Sequence, residues 1–182
     1  MRYPLDKERA TGFLMPIIGS SNKKGISFRQ SFYWAIRRNM DATFSLEYYP
    51  AGGLGRGLEY RYMSSWKTQG QLDLYHFSFK KDLEEEVPAS AYILRLNHRQ
   101  SLPLNLSLVA DVDYQSSLDF LREFDSDFKR AVVSNRRSEV YLSGAWSSFN
   151  FSARVSRFET YYKETDNSVI RHNLPEINFS SS

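Results

Sequence analysis

Residues 26–62 alternate between apolar and polar side chains in three successive runs, joined by short polar turns. Ile26, Phe28, Phe32 and Trp34 alternate with Ser27, Arg29, Ser31 and Tyr33. Met40, Ala42, Phe44, Leu46 and Tyr48 then alternate with Asp41, Thr43, Ser45, Glu47 and Tyr49, and Leu58, Tyr60 and Tyr62 with Gly57, Glu59 and Arg61. A period of two sends successive side chains to opposite faces of a strand. Repeated strand after strand, it describes a sheet whose two faces meet different solvents. That is the sequence form of an outer-membrane β-barrel wall.

The pattern extends along the chain. Ten strands are expected, at 12–20, 26–34, 40–50, 57–66, 70–80, 90–100, 104–115, 138–147, 149–161 and 169–181. In 104–114, Leu104, Leu106, Leu108, Ala110, Val112 and Tyr114 oppose Asn105, Ser107, Val109, Asp111 and Asp113. That run has the length, roughly 9–11 residues, that a tilted strand needs to cross a bilayer. Phe149, Phe151, Ala153 and Val155 repeat the scheme against Asn150, Ser152, Arg154 and Ser156. Between Leu72–Leu74 and Tyr75–Phe79 the apolar parity slips, and a β-bulge near Leu74 would account for it. Only Leu118 to Arg130 has helical spacing, compatible with a short helix inside a loop.

Connection lengths alternate. The turns at 35–39, 67–69, 101–103 and 148 are short, whereas those at 21–25, 51–56, 81–89, 116–137 and 162–168 are mostly longer. In a meander, alternate turns lie at the same end of the sheet, so one end is trimmed and the other elaborated, as in outer-membrane barrels. Trp34, Trp66 and Trp146 fall at the short-turn end, and Tyr48 and Tyr114 at the opposite end. Two aromatic bands are what interfacial girdles require. The fold class expected is therefore all-β: an antiparallel up-and-down meander of about ten strands, part of a large transmembrane barrel. The polar parity, Arg29, Asp41, Thr43, Ser45, Glu47, Glu59, Arg61, Asn105, Asp111, Asn150, Ser152 and Arg154, would line its lumen.

Composition removes most other classes. The chain has no Cys, so disulfide frameworks and thiolate chemistry are excluded. With 24 basic and 21 acidic residues interspersed, nothing points to nucleic acid. No apolar run is long enough for a transmembrane helix, and the charged start Met1 to Arg9 does not read as a signal peptide. His76, His98 and His172 form no ligand cluster, and no nucleophile, base and acid can be assembled, so neither an enzyme nor a cofactor is expected. Gly52-Gly53-Leu54-Gly55-Arg56-Gly57 mimics a phosphate loop but joins two strands, and reads as a flexible external turn. Asp111 with Asp113, and Asp125 with Asp127, read as solvated carboxylates rather than metal ligands.

Several segments resemble a known family. Gly12-Phe13-Leu14-Met15-Pro16, Phe32-Tyr33-Trp34, Asn39-Met40-Asp41-Ala42-Thr43 and Glu59-Tyr60-Arg61-Tyr62 are similar to the start of the barrel in the LptD family of lipopolysaccharide-assembly proteins, also called organic solvent tolerance proteins. Asp119-Phe120-Leu121-Arg122-Glu123-Phe124 and Leu174-Pro175-Glu176-Ile177 follow in the right order. The resemblance implies lipopolysaccharide transport into the outer leaflet of the Gram-negative outer membrane through a lateral gate between the first and last barrel strands. It implies a lipoprotein plug, surrounding membrane lipid, and periplasmic lipopolysaccharide-bridge proteins docking through an N-terminal jellyroll.

By the same resemblance 12–20 is the first barrel strand, with residues 1–11 leading into it and 12–182 forming part of the barrel. Pro16 is then a gate residue, since proline weakens strand pairing. Ser31 stands where the family often has a second gate proline. The jellyroll, the family's cysteines and many strands are absent, so a fragment forming an open curved sheet is expected. Another outer-membrane barrel enclosing water, or a soluble β-sandwich with its apolar face on a second sheet, stays open as an alternative.

Overall fold

The computed structural model describes residues 9–21, 25–50, 52–80, 90–116, 135–161 and 168–181. These build one sheet of eleven antiparallel strands: β1 (Gly12–Phe13), β2 (Ile17–Ser21), β3 (Gly25–Arg37), β4 (Met40–Tyr49), β5 (Gly53–Ser65), β6 (Thr68–Phe79), β7 (Ser90–Leu102), β8 (Leu106–Gln115), β9 (Asn135–Trp146), β10 (Phe149–Tyr161) and β11 (Ser168–Ser181). Each strand from β3 onward pairs with its sequence neighbour, and β1 and β2 both pair with β3. Among the described residues the sheet is not closed: β1 and β2 form one flank and β11 the other. This is the expected up-and-down meander, with one strand resolved as two. The helix considered at 118–130, and Asp125 and Asp127, lie outside the described residues.

The break in the first strand follows from Pro16. Phe13 pairs with Phe32 and Ile17 with Arg29. Leu14, Met15 and Pro16 therefore oppose only Gln30 and Ser31, which is a bulge. Proline offers no N–H to a ladder and is accommodated at edges and bulges. Pro175 obeys the same rule: the β10–β11 register shifts by one between Arg154 and Ser156, opposite Leu174 and Pro175.

Three local expectations need correction. No bulge occurs near Leu74, because β5–β6 pairing runs unbroken from Gly53↔Phe79 to Met63↔Gln69 and β6–β7 from Thr68↔Gln100 to Ser78↔Ser90. Tyr75, Phe77 and Phe79 instead share the face of Gln71 and Asp73. Next, Asn105 is not on a strand: Leu104 and Asn105 have φ of 61° and 56°, and the Leu106 N–H reaches the Pro103 carbonyl at 3.4 Å. Two consecutive positive φ values make a type I′ turn, the hairpin turn that matches strand twist. Finally, the glycine-rich segment is mostly strand. The turn ends at Gly52, whose N–H bonds the Tyr49 carbonyl at 3.0 Å, and Gly53, Gly55 and Gly57 lie within β5.

The turn asymmetry rests on three long connections, since 22–24 and 50–52 at the same end are as short as 103–105. Residues 38–39, 66–67, 103–105 and 147–148 alone separate the strands at one end, while 80–89, 116–134 and 162–167 separate them at the other.

Candidate functional site

On β4 the two faces have exposures opposite to those of a strand in a water-soluble sheet. On β4 the apolar side chains Phe44, Leu46 and Tyr48 are 44%, 50% and 51% exposed, whereas Asp41 and Glu47 on the other face are 2% and 6% exposed. Phe28, Leu74, Val140, Phe149, Val155 and Phe179 continue the exposed apolar surface. A sheet that turns its apolar side chains outward and packs its polar ones together is suited to an apolar exterior.

The polar face is tied by two buried carboxylates. Asp41 accepts from the Arg61 Nε at 2.8 Å and also from Arg9, which reaches it from the segment before β1. Arg61 further contacts Glu59 at 3.5 Å. Glu47 accepts from Arg29 at 2.8 Å, from the Tyr49 hydroxyl at 2.8 Å and from the Tyr75 hydroxyl at 3.0 Å. A buried carboxylate needs such a full set of donors to offset its desolvation. Thr43 and Ser45 lie between the two acids along β4. Arg9, Asp41, Arg61, Gln71, Asn97 and Asp111 border a hollow of about 680 Å³ on this face.

Glycines make room for the second network. A Cβ on Gly55 would stand 2.2 Å from the Tyr75 hydroxyl oxygen and 2.9 Å from its ring, and one on Gly57 would stand 2.2 Å from the Ser45 hydroxyl. Tyr75 thus lies across bare backbone to reach Glu47. Beyond it, Tyr49, Phe77 and Ala91 are buried with Phe79 and Ile93 against them, an apolar island on the polar face at the end with the longer connections. This explains the parity slip in β6 without a bulge.

Other expected polar-face residues lie apart from these networks. Asp111 is exposed, across from Asn97 on β7 and Glu139 on β9. Asp113 bonds Arg136 at 2.5 Å and lies 3.7 Å from Arg95, so it is an ion-pair carboxylate. Among the described residues no three His, Asp or Glu side chains gather as a metal site would require. Asn150, Ser152 and Arg154 sit on β10, with the Arg154 guanidinium 5.7 Å from the Tyr141 ring centre. Asn105, in its turn, is off the wall.

The aromatic bands have the following places. Trp34 lies on β3 opposite Ala42 and is 46% exposed; Trp146 closes β9. Trp66 is in the β5–β6 turn, 82% exposed, with the Lys67 ammonium 5.0 Å over its ring. At the other end Tyr48 is exposed, and Tyr114 stacks on Tyr92 with ring centres 5.7 Å apart.

At the first strand, the Leu14 N–H donates to the Ser31 carbonyl at 2.9 Å. Ser31 therefore meets the Pro16 bulge through its backbone. Gln30 Nε2 donates to the Leu14 carbonyl at 2.8 Å and to the Ser31 carbonyl at 3.1 Å. Sequence reasoning passed over Gln30, Arg9 and the Tyr49–Tyr75 pair. Gln30 had left a signal: it interrupts the apolar parity between Phe28 and Phe32.

The family model described as LptD protein matches residues 1–182. The "LPS-assembly protein LptD" of Actinobacillus pleuropneumoniae serotype 5b is 28% identical over 99% of this chain and 23% of its own length. The protein of that name from Haemophilus ducreyi is also 28% identical over 99% of the chain, and that from Azoarcus sp. is 30% identical over 92%. The chain spans about a quarter or less of the length of these curated relatives. Matched from end to end by that family, the chain belongs to the LptD proteins.

Proposed function

We propose that this chain forms part of an outer-membrane barrel wall that delivers lipopolysaccharide to the outer leaflet of a Gram-negative cell, on the side of a lateral gate. The carrying observation is the inverted sheet, with Phe44, Leu46 and Tyr48 about half exposed and Asp41 and Glu47 buried. Such a sheet suits lipid on one side and a polar lumen on the other. The relatives' printed name, LPS-assembly protein, supports the cargo.

The task is physical rather than chemical: an amphiphile keeps its sugars in the lumen while its acyl chains enter lipid. The obstacle is backbone, since an unpaired strand edge in hydrocarbon leaves polar groups unsatisfied at several kcal/mol each. A first strand already broken at Pro16 into pieces of two and five residues has fewer ladder bonds to lose. In this reading residues 12–182 are one portion of the barrel, a lipoprotein fills the lumen, and periplasmic lipopolysaccharide-bridge proteins dock through an N-terminal domain.

A photo-reactive residue in place of Ile18, in the complete protein in cells, tests the reading. Capture of lipopolysaccharide there supports it. Labelling by small solutes alone would indicate a water-filled pore and refute the delivery function.

A further inference from the structure

The apolar face of β3 has one polar interruption. Phe28, Gln30, Phe32 and Trp34 share that face, opposite Tyr48, Leu46, Phe44 and Ala42 of β4. An amide facing hydrocarbon must have its hydrogens accepted. Gln30 spends them on the Leu14 carbonyl at 2.8 Å and the Ser31 carbonyl at 3.1 Å, both at the Pro16 bulge.

The backbone there is half paired. Leu14 donates to Ser31 at 2.9 Å, and a regular antiparallel pair would return a bond from the Ser31 N–H to the Leu14 carbonyl. Among the described residues no backbone N–H reaches that carbonyl. Pro16 has no N–H of its own, and regular pairing resumes only at Ile17↔Arg29. The Gln30 side chain supplies the missing return bond.

We propose that Gln30 is a positioning residue, a clasp that keeps the Pro16-broken first strand on β3 so that its opposite edge is the one that parts. This rests on the first strand being an exit seam, as proposed above. The bulge leaves the first strand fewer bonds to β3, and the clasp restores that hold. The seam is thereby given a direction.

Gln30→Met in the complete protein in lipid provides the test. Methionine has similar length, suits the apolar face and cannot donate, so insertion is preserved while the clasp is lost. Hydrogen exchange of amides in 12–21 should then speed up about five-fold, the effect of one net hydrogen bond, with 40–62 unchanged. Lipopolysaccharide delivery should fall by a similar factor. It should recover when an Ile18→Cys, Phe28→Cys disulfide ties these paired positions together. Unchanged exchange in 12–21, or lost delivery that the disulfide does not restore, overturns the clasp. Should a photo-reactive residue in place of Ile18 capture no lipopolysaccharide with Gln30 intact, the delivery reading fails, and the exchange rates still decide whether Gln30 holds the strand.

Discussion

Replacing Arg29 by leucine should damage the wall more than replacing both Arg29 and Glu47. Glu47 is 6% exposed and holds Arg29 at 2.8 Å, with two tyrosine hydroxyls at 2.8 and 3.0 Å. Removing one partner of a fully buried pair costs about 3–5 kcal/mol. The Arg29 side chain is 46% exposed and the tyrosines remain, so the expected loss is lower, about 2 kcal/mol. Glu47→Gln in the same background removes the stranded charge and keeps an acceptor for the tyrosines. The double variant should therefore recover about 1 kcal/mol. The assay is the heat-dependent mobility shift of the complete protein, whose midpoint tracks loss of the barrel. Were Arg29→Leu neutral, or the double variant weaker than Arg29→Leu alone, Glu47 would not be a buried charge held by this network.

Gly55→Ala should cost about 1–3 kcal/mol by forcing Tyr75 off the strand, and Tyr75→Leu in the same chain should relieve much of that cost; thermal midpoints of the four variants decide. Leu104→Asn should stabilise the β7–β8 hairpin by about 1 kcal/mol, since Leu104 holds a φ of 61° that asparagine tolerates better; a lowered midpoint would argue against the type I′ turn. Spin labels along β4 should alternate, with Phe44 and Leu46 positions broadened by a lipid-soluble quencher and Ser45 and Glu47 positions by a water-soluble one. Equal access at neighbouring residues would contradict a lipid-facing apolar surface.

Alternation carried most of the fold. Phe44 against Ser45, or Phe151 against Ser152, is a local statement about which side chain faces which solvent. It survives any tertiary arrangement that keeps the strand, so strand positions, turn asymmetry and the polar parity could be read directly. Much of the candidate site could be read too: Arg29, Asp41, Glu47 and Arg61 were on the polar parity before any pairing was known. Their partners could not be assigned, because a cross-strand bond depends on register, and register depends on where bulges fall. Asn105 was misplaced because a positive φ at Leu104 has no apolar or polar signature, and the run through 104–114 alternated regardless.

The sequence by itself pointed to a two-faced antiparallel meander with one trimmed end, because a period of two sends successive side chains to opposite faces and the connections alternate in length. Only the tertiary structure decided what the exceptions mean. Tyr75, Phe77 and Phe79 broke the apolar parity because Gly53, Gly55 and Gly57 on the next strand leave space for rings on the polar face. Gln30 broke it because a bulge at Pro16, sixteen residues before Phe32, leaves a carbonyl that, among the described residues, its amide alone reaches. Both depend on which strand lies alongside, and pattern within a single strand does not contain that information.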